Sequence, residues 1–153
     1  MSYDYSVELP LAPHGKQSVR TGKGFAYTAP KTRRWMQDAA MLFAAGLPRS
    51  VLEPPYNVLI VAVVDRPQYM LKRYKDGRAK YGDGLLLAPA KPDCDNISKA
   101  VLDALDRHIT DDKDVVDLRV LKLYREIVGL PRVIVRIRQE TGDPTESANS
   151  ALA

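Results

Sequence analysis

The alternation of apolar and polar positions divides this chain into short strands and two amphipathic helices. Residues 3–9 alternate (YDYSVEL) and run into Pro10 and Pro13, the pattern of an edge strand entering a loop. Trp35, Ala39, Leu42 and Phe43 recur at helical spacing. They predict a first helix that starts near Thr28 or Pro30, runs to about Ala45 and is ended by Gly46. Residues 57–64 are β-branched and continuously apolar, which suits a central strand. Ile97, Ala100, Val101, Ala104 and Leu105 place one apolar stripe on a second helix. Residues 115–124 and 132–137 read as two closing strands, with Gly129, Leu130 and Pro131 turning the chain between them. Residues 66–91 read as a polar, irregular excursion, and the segment from Gln139 onward as a small, polar, fraying tail. The expected fold is α+β: a single domain over residues 1–138, with a mixed sheet of about four strands and two main helices packed on it, and a flexible tail at 139–153.

Composition narrows the class. A chain of 153 residues, 45% hydrophobic and 27% charged, has the balance of one folded domain with a modest core. The net charge of +4 points to an anionic partner but falls below that of a ribosomal or chromatin protein. Cys94 is the lone cysteine, which excludes an internal disulfide, and His14 and His108 are far apart, so no zinc-type ligand cluster is spelled out. The N-terminus lacks the signature of a secretory signal, and the longest apolar run, residues 58–64, is too short to span a bilayer. A cytoplasmic protein with no membrane partner is expected.

The chemistry concentrates between residues 91 and 117, KPDCDNISKAVLDALDRHITDDKDVVD. Asp93 and Asp95 bracket a helix start, where two carboxylates can converge. Lys99 lies one helical turn after Asp95, outside the apolar stripe. Asp111 and Asp112 precede the next strand, whose return beside the helix is expected to bring a third carboxylate to the first two. Such a set suits phosphodiester hydrolysis. Mg²⁺ takes oxygen ligands and keeps several waters, so two or three carboxylates hold it, and a nearby lysine offsets phosphate charge. Taken singly, an Asp before a helix is an ordinary cap and Asp-Asp before a strand an ordinary turn. The joint pattern gives the segment its interest.

The run PDCDNISKAVLDAL followed by DDKDVVDLRVLK resembles the signature of the RusA endonucleases. Those proteins carry a D-x-D-N segment opening a helix, a lysine four residues after the second acid, D-A-L closing the helix, and D-D-x-x-[VI]-x-[DE] entering a strand. The segment YTAPKT at residues 27–32 matches more loosely, and the similarity extends over most of residues 5–138. The resemblance implies a homodimeric, Mg²⁺- or Mn²⁺-dependent endonuclease that resolves four-way DNA junctions by paired nicks, in a family often encoded by phages and prophages. It places metal-binding acids at Asp93, Asp95 and Asp112, the family lysine at Lys99, and a helper at Asp111. Trp35 and Phe43 read as core rather than base-stacking groups, and the chain's strand edges and apolar first helix, which carries both, are alternative surfaces for a dimer.

The basic residues Lys16, Arg20, Lys23, Lys31, Arg33 and Arg34 gather around the first loop and helix start, a site that favours phosphate. Lys91 and Asn96, flanking the acids, join them as expected DNA contacts. The cations of residues 66–91 either touch a DNA arm or form a solvated face. Tyr69, Tyr74 and Tyr81 either stack on unpaired bases or pack their own loop. Cys94 reads as a small filler, and His108 as a helix C-terminal residue. Two other functions compete. A phosphatase of the haloacid-dehalogenase type also uses D-x-D but places it after a buried parallel strand. A non-catalytic DNA-binding protein would explain the basic loops but not the acids, because carboxylates repel phosphates unless a metal intervenes.

Overall fold

The structure, a computed structural model, describes residues 2–16, 20–22, 24–27, 29–140 and 144–153, with backbone only at 20–22, 25–27, 144, 146 and 147. Lys23 and Thr28 lie outside the described residues. The chain runs β1 (Tyr5–Leu9), β2 (Arg20–Gly22), β3 (Phe25–Tyr27), α1 (Pro30–Gly46), β4 (Tyr56–Val64), β5 (Leu86–Leu87), α2 (Cys94–Ala104), β6 (Val115–Tyr124), β7 (Arg132–Gln139) and α3 (Pro144–Leu152), with short 3-10 turns at Gln68–Leu71 and Asp112–Asp114. The α+β class holds. The main sheet has five strands, in the order β1-β7-β4-β6-β5, with β2 and β3 forming a separate ribbon. The additional edge strand, β5, is two residues long, too short to show an alternation.

The alternation of residues 3–9 reflects a real edge: β1 pairs antiparallel with β7 alone, Val7 opposite Val135. β4 is the central strand, antiparallel to β7 and parallel to β6, with Ile60 opposite both Val135 and Val120. One sheet face carries Leu9, Val58, Ile60, Ala62, Val133, Val135 and Ile137 into the core. Trp35, Ala39 and Phe43 of α1 and Ile97, Ala100, Val101 and Ala104 of α2 cover it, with Leu105 just past the helix. Burying a leucine-sized side chain there contributes about 1.5–3 kcal/mol. Because Trp35 and Phe43 face inward, they offer no dimer surface; the Trp35 indole N–H also donates to the Ala12 carbonyl at 2.8 Å. The tail read as small, polar and fraying contains α3.

Residues 66–91 are far more ordered than an irregular excursion. Arg66 is 4% exposed, and its guanidinium donates to four backbone carbonyls: Arg125 at 2.7 Å, Met70 at 3.3 Å, Gly82 at 3.0 Å and Gly84 at 2.6 Å. Met70 and Ala88 pack with Val64 and Tyr124 in a small second core below it. Between these anchors the chain folds back on itself. Lys80 N–H donates to the Lys72 carbonyl at 3.0 Å and Tyr74 N–H to the Arg78 carbonyl at 2.8 Å, and Gly77 turns the tip at φ 90°. Replacing Arg66 leaves several carbonyls without a donor. Arg66→Leu is predicted to lower stability by about 3 kcal/mol, with protease cleavage appearing first inside residues 66–91. Thermal unfolding and limited proteolysis read both. An unchanged melting point with no new cleavage would refute the anchoring role.

Candidate metal centre and nucleic-acid interface

β4 and β6 are parallel, so the chain must cross back over the sheet between them, and α2 makes that crossing. The crossing fixes where the acids lie. Asp93 is the N-cap residue of α2 (φ −71°, ψ 151°), yet its carboxylate makes no cap hydrogen bond. Asp95 lies in the first turn, 3.6 Å from Lys99 in an ion pair whose members are both largely exposed. Exposed pairs of this kind contribute little to stability. Lys122 on β6 donates to the carbonyls of Ala90 and Pro92, which holds the segment leading into Asp93.

A cavity of about 320 Å³ opens at this helix start, lined by His14, Gly15, Lys91, Pro92, Asp93 and Asn96. The first loop closes one side of it. Lys16 N–H donates to the Asn96 carbonyl at 3.0 Å, and a Cβ on Gly15 would sit 2.9 Å from Pro92 Cβ, so the close approach requires glycine. His14 bonds the Thr32 hydroxyl at 2.8 Å, stacks on Trp35, and has its pKa lowered by burial and by nearby Lys31. Lys31, Arg33 and Arg34 are exposed on the first turn of α1, which carries no acidic residue. Cations there oppose the helix dipole, an arrangement relieved when an anion arrives. Arg20 lies on β2, described by its backbone only.

Asp112 lies past the far end of α2. Burial raises its pKa, followed by the neighbouring carboxylates Asp103, Asp111 and Asp106, while Lys16 lowers it. Lys16 in turn pairs with Asp103. The adjacent Asp111 is differently employed: it caps the 3-10 turn, accepting from Lys113 N–H at 3.1 Å, and that bond lowers its pKa. An 11-residue helix is about 16 Å long, and Asp103, in its last turn, is the first of the charges that raise the Asp112 pKa. Among the described residues no group of three or more His, Cys, Asp or Glu side chains is placed to hold a metal within one chain. Contrary to expectation, the return of β6 leaves Asp112 at one end of the helix and the D-x-D pair at the other.

Other residues depart from their sequence reading. Cys94 is exposed and fills no gap, while His108, just past the C-terminal end of α2, is also buried. His14, Asp103 and Lys122 gain places at or near the site that no local motif announced, because loop closure and cross-strand packing put them there. The D-x-D segment follows a two-residue edge strand and a loop rather than a buried parallel strand, so the phosphatase reading has no support. No helix among the described residues is long and apolar enough to cross a membrane.

An α+β domain with a D-x-D pair at a helix start, beside a cleft lined by Lys91, Asp93 and Asn96, has the donor groups that phosphodiester hydrolysis calls for. The profile of the family described as Endodeoxyribonuclease RusA matches residues 9–138. The chain belongs to the RusA endodeoxyribonuclease family, which implies Holliday-junction resolvase activity. It is also similar to YqaN of Bacillus subtilis (strain 168), described as an uncharacterized protein, with 34% identity over 123 residues that cover 80% of this chain and 84% of that one.

The Asp112 environment gives a signed pH prediction. A raised pKa means that this carboxylate holds its proton to a higher pH than an ordinary aspartate, and that ionising it opposes folding. Asp112→Asn should therefore raise the melting temperature at neutral pH, with the gain shrinking as pH falls through the Asp112 pKa. Lys16→Ala removes the cation that lowers this pKa and frees Asp103 as a second repelling charge. It should move the protonation of Asp112 to higher pH. A carboxyl-resolved NMR titration reads the shift, and a downward shift in Lys16→Ala would contradict the electrostatics described.

Proposed function

We propose that this chain is a divalent-cation-dependent DNA endonuclease that acts as a homodimer and resolves four-way junctions by paired, symmetric nicks, in the recombination and repair of DNA. The observation that carries the reading is the free Asp93 carboxylate beside Asp95 at the mouth of a cleft lined with Lys91 and Asn96. Two adjacent hard oxygen donors with no soft ligand cluster fit Mg²⁺ or Mn²⁺, which need few protein ligands. When bound, such a cation supplies Lewis-acid activation of water and neutralisation of phosphate charge. Lys99, one turn along, offsets charge that develops on the phosphate. Lys91, Asn96 and the α1 cations Lys31, Arg33 and Arg34 hold the DNA backbone across the cleft, aided by Lys16 and Arg20 of the first loop and ribbon.

The separation of Asp112 from Asp93 and Asp95 supports the homodimer. In a two-fold dimer the start of one α2 meets Asp112 of the second chain, and symmetry repeats the arrangement, giving two equal sites. A four-way junction has the same two-fold symmetry. The nuclease domain is assigned to residues 1–138, with 139–153 as an appended tail, in the cytoplasm of a bacterial or phage-infected cell.

The test is cleavage of a synthetic four-way junction beside a linear duplex, with Mg²⁺ and with EDTA. Paired nicks on the junction are expected only with the metal; equal cleavage of duplex, or cleavage in EDTA, would sink the reading. Asp93→Asn, Asp95→Asn and Asp112→Asn should each reduce cleavage by about a hundredfold or more while junction binding holds or strengthens. Asp111→Asn should be milder. Mixing Asp93→Asn with Asp112→Asn distinguishes one-chain from two-chain sites. A two-chain site leaves each mixed dimer with one intact centre, so about a quarter of wild-type nicking should return after subunit exchange. A mixture as inactive as its components would place all three acids in one chain.

A further inference from the structure

We propose that the hairpin at residues 72–80 is a second DNA-contacting element, which grips the phosphate backbone of a duplex arm beside the D-x-D-N cleft without reading its sequence. The first support is where the charge lies. Residues 66–91 hold seven Lys and Arg against two Asp, while the remainder of the chain holds sixteen Lys and Arg against seventeen Asp and Glu. The excursion therefore carries the whole net positive charge of the protein. Lys72, Arg73, Lys75, Arg78 and Lys80 crowd into nine residues and are all exposed.

The second support is that Arg73, Arg78 and Lys80 are held in order on a folded hairpin backbone, which also carries Lys72 and Lys75. Tyr74 lies under two of them, with Arg78 at 5.1 Å and Lys80 at 5.4 Å from the ring centre. Arg73 donates to the Gly77 carbonyl at 2.7 Å, and Arg78 pairs with Asp76, the one carboxylate of the hairpin, at 2.7 Å. Arg66 fixes the base from beneath. Like charges held this close repel one another, and a polyanion offsets that repulsion.

The third support is position. Arg66 binds the carbonyl of Arg125, the residue after β6, and Ala88 N–H donates to the Lys122 carbonyl at 3.1 Å. Lys122 then reaches the carbonyl of Pro92, next to Asp93. The hairpin base and the acidic pair thus share one end of the sheet, which puts the cationic hairpin on the same end of the molecule as the cleft.

The chemistry selects backbone contact. The sequence KRYKDGRAK offers no aliphatic side chain larger than alanine, nothing to enter a membrane or fill a protein pocket. Tyr74 is engaged by its two cations, and Tyr69 and Tyr81 pack edge to face at 5.5 Å, so the tyrosines build the loop rather than wait for bases. Lysine and arginine contacts to phosphate position a duplex without specifying sequence.

The inference takes DNA as its ligand from the nuclease reading above, and the test separates the two. Full-length protein is titrated by fluorescence anisotropy in EDTA, at several NaCl concentrations, against a labelled linear duplex and a labelled four-way junction. Lys72→Ala, Lys75→Ala and Lys80→Ala combined should weaken binding of both DNAs by about tenfold or more and lower the slope of log K against log salt by about two to three. The corresponding triple arginine variant should bind within about twofold of wild type, since it keeps the charges. Lys75→Gln alone, at the tip, should lower the slope by about one, which keeps the test valid if the triple variant fails to fold. Unchanged affinity and slope in Lys75→Gln and the folded triple variant would overturn the inference even in a protein that cleaves junctions. Hairpin-dependent binding without cleavage would keep it while the resolvase reading failed. Wild type that binds anionic lipid vesicles but neither DNA would overturn it.

Discussion

The parallel pairing of β4 with β6 is the constraint from which the site follows. Antiparallel neighbours can be joined by a tight turn, but parallel strands demand a crossing, and here the crossing is α2. A helix that recrosses the sheet has its N-terminus where β4 ends and its C-terminus where β6 begins. Whatever chemistry sits at the two helix ends is thereby held a helix length apart. The apolar stripe of Ile97, Ala100, Val101 and Ala104 fixes the helix to the sheet, so the separation of its two ends belongs to the core. The same crossing leaves a gap at the end of β4, and residues 66–91 fill it.

Charge is arranged around that geometry. The acids occupy the two ends of α2, the α1 cations stand at an N-terminus that does not favour them, and the hairpin holds the surplus positive charge. A modest net charge of +4 thus conceals strongly unlike regions. Lys16 ties two of these regions together: its backbone binds the Asn96 carbonyl near the start of α2, and its ammonium pairs with Asp103 toward the other end. Gly15 permits this because a larger residue would press on Pro92 and Asn96. The first loop is therefore part of the helix surface, and a change there reaches both acidic ends.

Much of this was legible in the sequence where the signal is periodic or local. The stripe on α2, the continuous apolar β4 and the edge strand β1 all lie where their patterns placed them, because burial enforces period on helices and strands alike. The D-x-D-N motif was legible because its spacing is short. What escaped depends on residues distant in sequence. Nothing near Arg66 announces that four carbonyls, two of them from Gly82 and Gly84, converge on it, so the excursion read as irregular. Trp35 and Phe43 read as core, as they are, and the alternative of a dimer surface stayed open only because the sheet that covers them has no local signature. The placement of Asp112 was misjudged for a topological reason: a returning strand brings its start to the end of the helix it follows, not to the beginning.

The distance between Asp112 and the D-x-D pair bears on how such an enzyme would stay safe. In the proposed dimer a single chain holds the start of one centre and the far acid of another, and neither half is sufficient. Cation binding would then link to association, because a metal ligated by both chains would favour the dimer by mass action. A lone chain meeting duplex DNA through its cationic surface would bind without cutting. Sequence-independent phosphate contact, a hazard in an always-active nuclease, would be harmless in the proposed dimer, whose centres would form only in pairs. Paired centres then meet their match on a branched substrate that shares their two-fold symmetry.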